Sequence, residues 1–344
     1  MLVFRDTRGG PLGRSYSHMK LYLGLAEKAA PYQTRIFADL ESKLIDLNLA
    51  YATCLAHRHG NASGTHEIAS FYFPSTLAAF LERGDGARSA LTELLAFARE
   101  RGVDHLRGPA GEKVVYAPSD IRLLPPLLNP DKSFVIGFSD QARAETAPKA
   151  ELPTGFYKLP QTFVASGAPI VWPKFSEELD ADACLAIVIG KAGRRIPPER
   201  TLDHVAGVTL LIDITARDIN RREGLTTNNL LGKNFPSSTS LGPALRITDS
   251  RKDLEELEVD FSVDGASKQK FRLPQCVFTV EQIIARWSIL GLKPGDFLAI
   301  GASMALVGDR LQTPVRLAPG SNLRCSSPAI GESRHEVISA REAR

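Results

Sequence analysis

The chain has 344 residues, of which 43% are hydrophobic, and this length suffices for about two domains with substantial cores. Its 42 basic and 39 acidic residues leave a formal net charge of +3, a balance that argues against nucleic acid or an anionic membrane as the partner. A small-molecule ligand is therefore expected. Since no apolar run of about twenty residues could span a bilayer, we also expect no membrane association.

The first third of the chain predicts a small α/β domain. The expected elements are a strand over 19–25 and helices over 45–57, 75–81 and 86–101. Ser75 is a suitable N-cap for the second helix, and Gly102 is a suitable end for the third. Four prolines in 117–130 favour extended backbone and indicate a join. The predicted domains are therefore 1–117 and 118–344.

The second domain is predicted to be mainly β. Strand-like runs occupy 134–138, 185–189, 208–212, 257–263, 297–300 and 311–317. One amphipathic helix is expected over 280–290. The polar residues 332–344, which include His335, predict a loose tail.

Cysteine usage and the N-terminus bear on the compartment. Cys54, Cys184, Cys276 and Cys325 have no paired spacing, which favours reduced thiols over a disulfide framework. The first residues do not resemble an export signal. We therefore expect a cytoplasmic protein.

Acidic and thiol side chains alternate at the start of one apolar run. Asp180, Asp182 and Cys184 occupy every second position, so a strand would place them on one face. The run 208–212 leads directly into Asp213. Two strands that bring carboxylates to one place make a divalent-cation site a reasonable hypothesis.

Ordered blocks over roughly residues 118 to 330 resemble the fumarylacetoacetate hydrolase family. The blocks are 122–126, 134–137, 156–158, 167–170, 184–191, 205–218, 232–235 and 292–296. The resemblance implies an α+β fold, with the family's mixed β-roll as catalytic domain after the small α/β domain. It also implies a homodimer.

The resemblance further implies an enzyme of the hydrolase or lyase type that acts on C–C bonds of a small β-dicarbonyl or 2-oxo acid. It points to Lys233, Arg217 and Gln141 as catalytic residues and to Lys158, Tyr157, Asn220 and Ser303 as substrate-binding residues. Basic groups at such positions are suited to hold a carboxylate or an enolate charge.

One departure from the family pattern affects the metal site. The family's usual Glu-x-Glu pair reads Asp182 and Cys184 here. The implied cofactor is a divalent cation such as Mg²⁺ or Mn²⁺, which prefers oxygen ligands over a thiol. A set of Asp182, Asp213 and Cys184 is therefore in question, and both a bound cation and its absence stay open. Use of Asp180 with Asp182 is an alternative.

Two further departures affect the chemistry. Gln141 stands where the family commonly has a histidine segment, and glutamine cannot accept a proton at neutral pH. Ala302 replaces an expected threonine hydroxyl, for which Ser303 is a substitute if the loop is rearranged. The remaining histidines after position 118, His204 and His335, do not lie where the family would need a base.

Three classes of function are compatible with this pattern. The first is a family enzyme that performs C–C hydrolysis, decarboxylation or enol–keto isomerisation. The missing histidine argues most strongly against hydrolysis, because hydrolysis needs an activated water. Decarboxylation and isomerisation need mainly charge stabilisation. The second is a metal-independent biosynthetic enzyme. The third is an inactive relative that binds a small acid or a partner chain.

Overall fold

The computed structural model describes residues 18–28, 32–137, 151–223, 230–248, 250–301, 306–307, 310–311 and 315–342. The N-terminal part combines short strands with four helices among these residues. In chain order they are β1 (Lys20–Ala26), β2 (Arg35–Leu40), β3 (Lys43–Asp46), α1 (Leu47–His59), α2 (Thr65–Tyr72), α3 (Leu77–Glu82), α4 (Gly84–Arg101), β4 (Val115–Tyr116) and β5 (Ile121–Leu124).

Local capping sets where these helices begin. The carboxylate of Asp46 accepts hydrogen bonds from the backbone N–H groups of Asn48 and Leu49, so α1 starts two residues after the predicted Ile45. Thr76, rather than the predicted Ser75, caps α3 through its hydroxyl. The predicted helices are therefore present with shifted starts.

The C-terminal part is mainly β, as predicted. Its strands are β6 (Ser133–Gly137), β7 (Thr154–Tyr157), β8 (Phe163–Val164), β9 (Ile170–Val171), β10 (Leu179–Ile189), β11 (Val205–Ala216), β12 (Thr239–Leu241), β13 (Leu245–Ile247), β14 (Glu258–Val263), β15 (Ala266–Arg272), β16 (Phe297–Gly301), β17 (Leu306–Val307), β18 (Arg310–Leu311), β19 (Asn322–Ser327) and β20 (Gly331–Ile338). Its helices are α5 (Arg217–Arg222), α6 (Arg251–Glu255) and α7 (Val280–Trp287).

One 13-stranded sheet forms the centre of the fold. Its main order is β4-β3-β2-β1-β13-β11-β10-β16-β6-β7, while β5 pairs with β1 and β12 pairs with β11 and β8. The antiparallel pair of β1 and β13 joins Lys20 to Arg246, so hydrogen bonding continues across the predicted boundary at 117/118. A second sheet has the order β15-β14-β19-β20-β9.

The long strand β10 lies between two hydrophobic cores. Cys184 and Ala186 pack into a core shared with helices α1, α3 and α4. Ala183 and Leu185 pack into a second core shared with α7 and strands of the second sheet. Because side chains alternate along a strand, this arrangement places the predicted acidic and thiol face of β10 toward the first core.

Three predictions for the C-terminal part were wrong. The predicted loose tail contains strand β20, in which Ser333, His335 and Val337 alternate inward and are buried. Polar residues on both faces hid this strand from a hydrophobicity pattern. Residues 315–317 form no strand, and the α-helical run over 280–290 ends at Trp287 before a 3₁₀ turn.

Across the described ranges, no helix is long and apolar enough to cross a membrane.

Candidate active site

Two carboxylates face each other at the centre of the main sheet. Strands β10 and β11 pair in antiparallel register with Asp182 opposite Asp213 and Asp180 opposite Thr215. Strand β11 continues to Ala216, so Asp213 lies within the strand rather than at its end. The carboxylates of Asp180, Asp182 and Asp213 are all buried, and buried carboxylates require partners.

Two lysine ammonium groups bind Asp213 from different parts of the chain. Lys158, directly after β7, donates from Nζ to Oδ1 of Asp213 at 2.8 Å and to the Ser238 carbonyl at 3.2 Å. Lys233, at the end of the 3₁₀ turn Leu231–Lys233, donates to Oδ2 of Asp213 at 2.5 Å and to the Thr215 hydroxyl at 2.6 Å. We call Lys158, Asp213 and Lys233 the lysine–aspartate cluster.

The other two carboxylates share one guanidinium. Arg217 begins helix α5, and its Nε donates to Oδ2 of Asp180 at 2.6 Å. A second nitrogen of Arg217 donates to Oδ2 of Asp182 at 3.2 Å. With the lysine–aspartate cluster, three carboxylates therefore face three cations, and their formal charges cancel.

Burial and neighbouring charges shift the pKa values in the cluster. Burial lowers the pKa of Lys158 to about 8, because the charge of Lys233 adds to the desolvation while Asp213 opposes it only in part. Burial would raise the pKa of Asp213, but the charges of Lys158 and Lys233 outweigh it and hold this pKa below its ordinary value. Asp213 is therefore an anion at neutral pH.

Cys184 carries a neutral thiol beside this cluster. Burial, followed by the negative charges of Asp213 and Asp182, raises the pKa of the Cys184 thiol well above its ordinary value. Metals bind the thiolate, so a cation at this position would have to displace the thiol proton.

The residues present do not fit a hard divalent cation. Asp182 and Asp213, the two oxygen donors of the expected ligand set, are already bound by Arg217 and by two lysines. Among the residues described by the structure, no group of three or more His, Cys, Asp or Glu side chains is arranged to hold a metal ion. The expected Mg²⁺ or Mn²⁺ is thus not confirmed.

A carboxylate and a close glycine contact hold the turn that carries Lys233. Glu223 accepts hydrogen bonds from the backbone N–H groups of Leu231 at 2.8 Å and Gly232 at 3.0 Å. A Cβ atom at Gly232 would lie 1.8 Å from Oδ1 and 3.0 Å from the backbone nitrogen of Asn220, so a larger residue here would displace Asn220 or the turn. Asn220 is therefore a neighbour of the Lys233 turn.

The structure brings together some of the predicted site residues and not others. Lys158 and Lys233 bind Asp213, Arg217 binds Asp182 on the neighbouring strand, and Asn220 contacts the Lys233 turn. In contrast, the Tyr157 hydroxyl donates to the Asp131 carbonyl at 3.1 Å. Gln141 and Ser303 lie outside the described residues.

Sequence reasoning missed several polar partners of the cluster. Thr215 could have been found, since period two places it on the same face of β11 as Asp213. Ser238 and Glu223 gave no such signal, because their contacts depend on how distant loops meet.

Comparison with known proteins identifies the family. Residues 136–338 match the profile of the fumarylacetoacetate (FAA) hydrolase C-terminal family. The chain belongs to the fumarylacetoacetate hydrolase family. Oxaloacetate tautomerase FAHD2A, mitochondrial, from Bos taurus is 31% identical over 285 residues, which cover 81% of this chain and 85% of the relative. Oxaloacetate tautomerase fahd2, mitochondrial, from Xenopus laevis is 35% identical over 224 residues, with coverage of 64% and 69%.

Solved structures confirm the fold. Fumarylacetoacetate hydrolase from psychrophilic Exiguobacterium antarcticum superposes with a TM-score of 0.68 at 22% identity, over 93% of this chain and 99% of that protein. The predicted α+β family fold is therefore correct. The relatives are enzymes, tautomerases and a hydrolase among them.

The expectation of a cytoplasmic protein is wrong by the same comparison. The tautomerases from Bos taurus, Homo sapiens and Xenopus laevis are all mitochondrial proteins. The expectation rested on unpaired cysteines and on an N-terminus that does not resemble an export signal, and neither feature distinguishes these compartments.

Proposed function

We propose that the chain is a tautomerase that interconverts the enol and keto forms of a small 2-oxo dicarboxylic acid without a divalent cation. The observation that carries this proposal is the lysine–aspartate cluster beside Arg217, which supplies fixed positive charge and exchangeable protons in a buried place. The tautomerase relatives support the choice of substrate class.

The three cations differ in how far they reach solvent. The side chain of Arg217 is 18% exposed, that of Lys233 7% and that of Lys158 0%. A substrate that enters from solvent meets Arg217 first, whose guanidinium suits a carboxylate. Lys233 then lies where it can stabilise the enolate oxygen, and Lys158 lies deepest.

Tautomerisation moves one proton between a carbon and an oxygen of the same molecule, so no other reactant is consumed. The base that removes the carbon-bound proton should titrate near the working pH. Lys158, with a pKa of about 8, meets this requirement as a neutral amine, and Asp213 holds its Nζ in place. The ammonium of Lys233 balances the charge that develops on oxygen, and the proton taken up by Lys158 is then delivered to that oxygen to complete the enol. Ketonisation follows the same steps in reverse.

Hydrolysis is the weaker alternative. Attack on a carbonyl carbon by water needs a general base for the water, a role that the family resemblance assigns to a histidine and that Lys158 would have to fill here. Within the described residues, no histidine contacts the lysine–aspartate cluster, since His204 binds the Lys191 carbonyl and His335 binds serine hydroxyls and the Ala168 carbonyl. No step of the proposed reaction requires a metal ion.

The test is a turnover assay with the enol form of oxaloacetate and with an acylpyruvate, each with and without chelator. We expect chelator-resistant ketonisation of the enol by the wild type and its loss in Lys158→Met and Lys233→Met. Lys113→Met is the matched control, because Lys113 forms an exposed pair with Asp120 outside the cluster. Wild-type rates in both cluster variants would refute the proposal, as would acylpyruvate cleavage without ketonisation.

A further inference from the structure

Asn234 follows Lys233 and contacts the two residues that flank Lys158. Its Oδ1 accepts a hydrogen bond from the backbone N–H of Leu159 at 2.6 Å, and its Nδ2 donates to the carbonyl of Tyr157 at 3.0 Å. Because an N–H only donates and a carbonyl only accepts, these partners define the orientation of the carboxamide. Asn234 therefore binds the chain on both sides of Lys158.

This carboxamide replaces the peptide of a neighbouring strand. A strand partner bonds the carbonyl before a residue and the N–H after it, as Asn234 does around Lys158. On the opposite edge, the Lys158 backbone N–H donates to the Ser133 carbonyl at 2.8 Å, and the Ser133 hydroxyl donates to the Lys158 carbonyl. The Lys158 backbone is thus held from two sides just after β7 ends.

The same segment also binds the other end of Lys158. The Nζ of Lys158 donates to the carbonyl of Lys233, the residue directly before Asn234. We propose that Asn234 is a positioning residue that fixes Lys158 relative to Asp213 and Lys233. This inference rests on the proposed tautomerase function.

Two substitutions separate positioning from a general contribution to folding. Asn234→Ala removes both hydrogen bonds, and we expect kcat to fall about tenfold or more with KM within about twofold, since misplacement of a reacting group lowers kcat. Asn234→Asp keeps an acceptor for Leu159 but sets a carboxylate oxygen against the Tyr157 carbonyl. When this carboxyl is protonated, it again offers one donor and one acceptor.

The kcat of Asn234→Asp, divided by that of the wild type at each pH, should therefore rise as the pH falls. The corresponding ratio for Asn234→Ala should stay constant. The pH series compares one folded protein with itself, so it gives a result even if Asn234→Ala does not fold. Unchanged kcat in both variants, or an Asn234→Asp ratio that does not depend on pH, would overturn the inference.

Hydrogen exchange at the Leu159 amide distinguishes this failure from failure of the proposed function. We expect faster exchange at this amide in Asn234→Ala than in the wild type, with unchanged exchange in α4. If the wild type shows no ketonisation but Leu159 exchange increases, the proposed function fails while Asn234 still holds the Lys158 segment. If ketonisation is present and Asn234→Ala matches the wild-type kcat, the positioning inference alone fails.

Discussion

Lys158→Met tests the lysine–aspartate cluster through stability as well as activity. The substitution keeps a long side chain but removes an ammonium group that is wholly buried and donates to Asp213 at 2.8 Å. Removal of one partner from a buried ion pair typically costs about 3–5 kcal/mol, because the other charge is left unpaired. Asp213 retains Lys233 at 2.5 Å, so we expect the lower end, about 3 kcal/mol.

The measurement is denaturant unfolding of the wild type, Lys158→Met, Asp213→Asn and the double variant, with linear extrapolation to water. Because Lys158 and Asp213 are in contact, their effects should not add, and we expect a coupling free energy of about 1–3 kcal/mol. Lys113→Met serves again as the control, since the exposed pair with Asp120 should leave the unfolding midpoint almost unchanged.

Two results would refute this reasoning. A loss below about 1 kcal/mol in Lys158→Met would show that the buried ammonium is not needed to satisfy Asp213. Strictly additive effects of the two single substitutions would show that the contact seen in the structure is not a stabilising interaction in solution.

Three further predictions concern the Lys233 turn, the metal and the buried histidine. Gly232→Ala places a methyl group 1.8 Å from Oδ1 and 3.0 Å from the backbone nitrogen of Asn220, so either the Asn220 side chain or the turn must shift, and ketonisation should fall about tenfold; full activity would contradict this. Elemental analysis should find substoichiometric divalent metal, and Cys184→Glu should strengthen Mg²⁺ binding measured by calorimetry; no gain would count against the strand register. Burial lowers the pKa of His335, so the unfolded chain takes up a proton below about pH 6.5 that the folded chain does not. The free energy of unfolding should therefore fall more steeply with decreasing pH in the wild type than in His335→Gln. Chemical unfolding at several pH values measures this, and an equal pH dependence in both proteins would contradict it.

The sequence was sufficient to predict individual strands and the ligand-type residues on them. Alternation in 180–184 correctly placed Asp180, Asp182 and Cys184 on one face of β10, because side-chain direction in a strand depends only on local geometry. It could not show that Asp182 lies opposite Asp213, since pairing register between strands is a property of the whole sheet.

The partners of Asp213 were beyond sequence reasoning for the same physical reason. Lys158 is 55 residues away along the chain and Lys233 is 20 residues away, and each approaches from its own loop. The family resemblance selected both lysines as site residues, but nothing local indicated that they bind the same carboxylate. That shared contact changes the interpretation of Asp213 from a metal ligand to an anion held by two lysines.

His335 shows the opposite kind of failure. Its neighbours are polar or charged, so the sequence predicted a loose tail, yet the imidazole is only 4% exposed. Its Nε2 lies 2.7 Å from the Ser240 hydroxyl and 2.8 Å from the Ser333 hydroxyl, and its Nδ1 lies 2.6 Å from the Ala168 carbonyl. A buried strand whose inward side chains satisfy one another by hydrogen bonds carries no hydrophobic pattern.

The replacement at position 184 links the altered strand to the proposed reaction. Cys184 packs in the core with Ala186, and a Cβ atom at Gly301 would lie 2.7 Å from its sulfur, so the thiol extends the apolar core to the edge of the site. A neutral thiol leaves three carboxylates to balance three cations. A divalent cation would add two positive charges to an arrangement that is already neutral, whereas a glutamate at 184 would restore a negative charge. The cations Arg217 and Lys233 are then the groups available to hold an enolate, with Lys158 as the base, which is why we propose ketonisation without a metal.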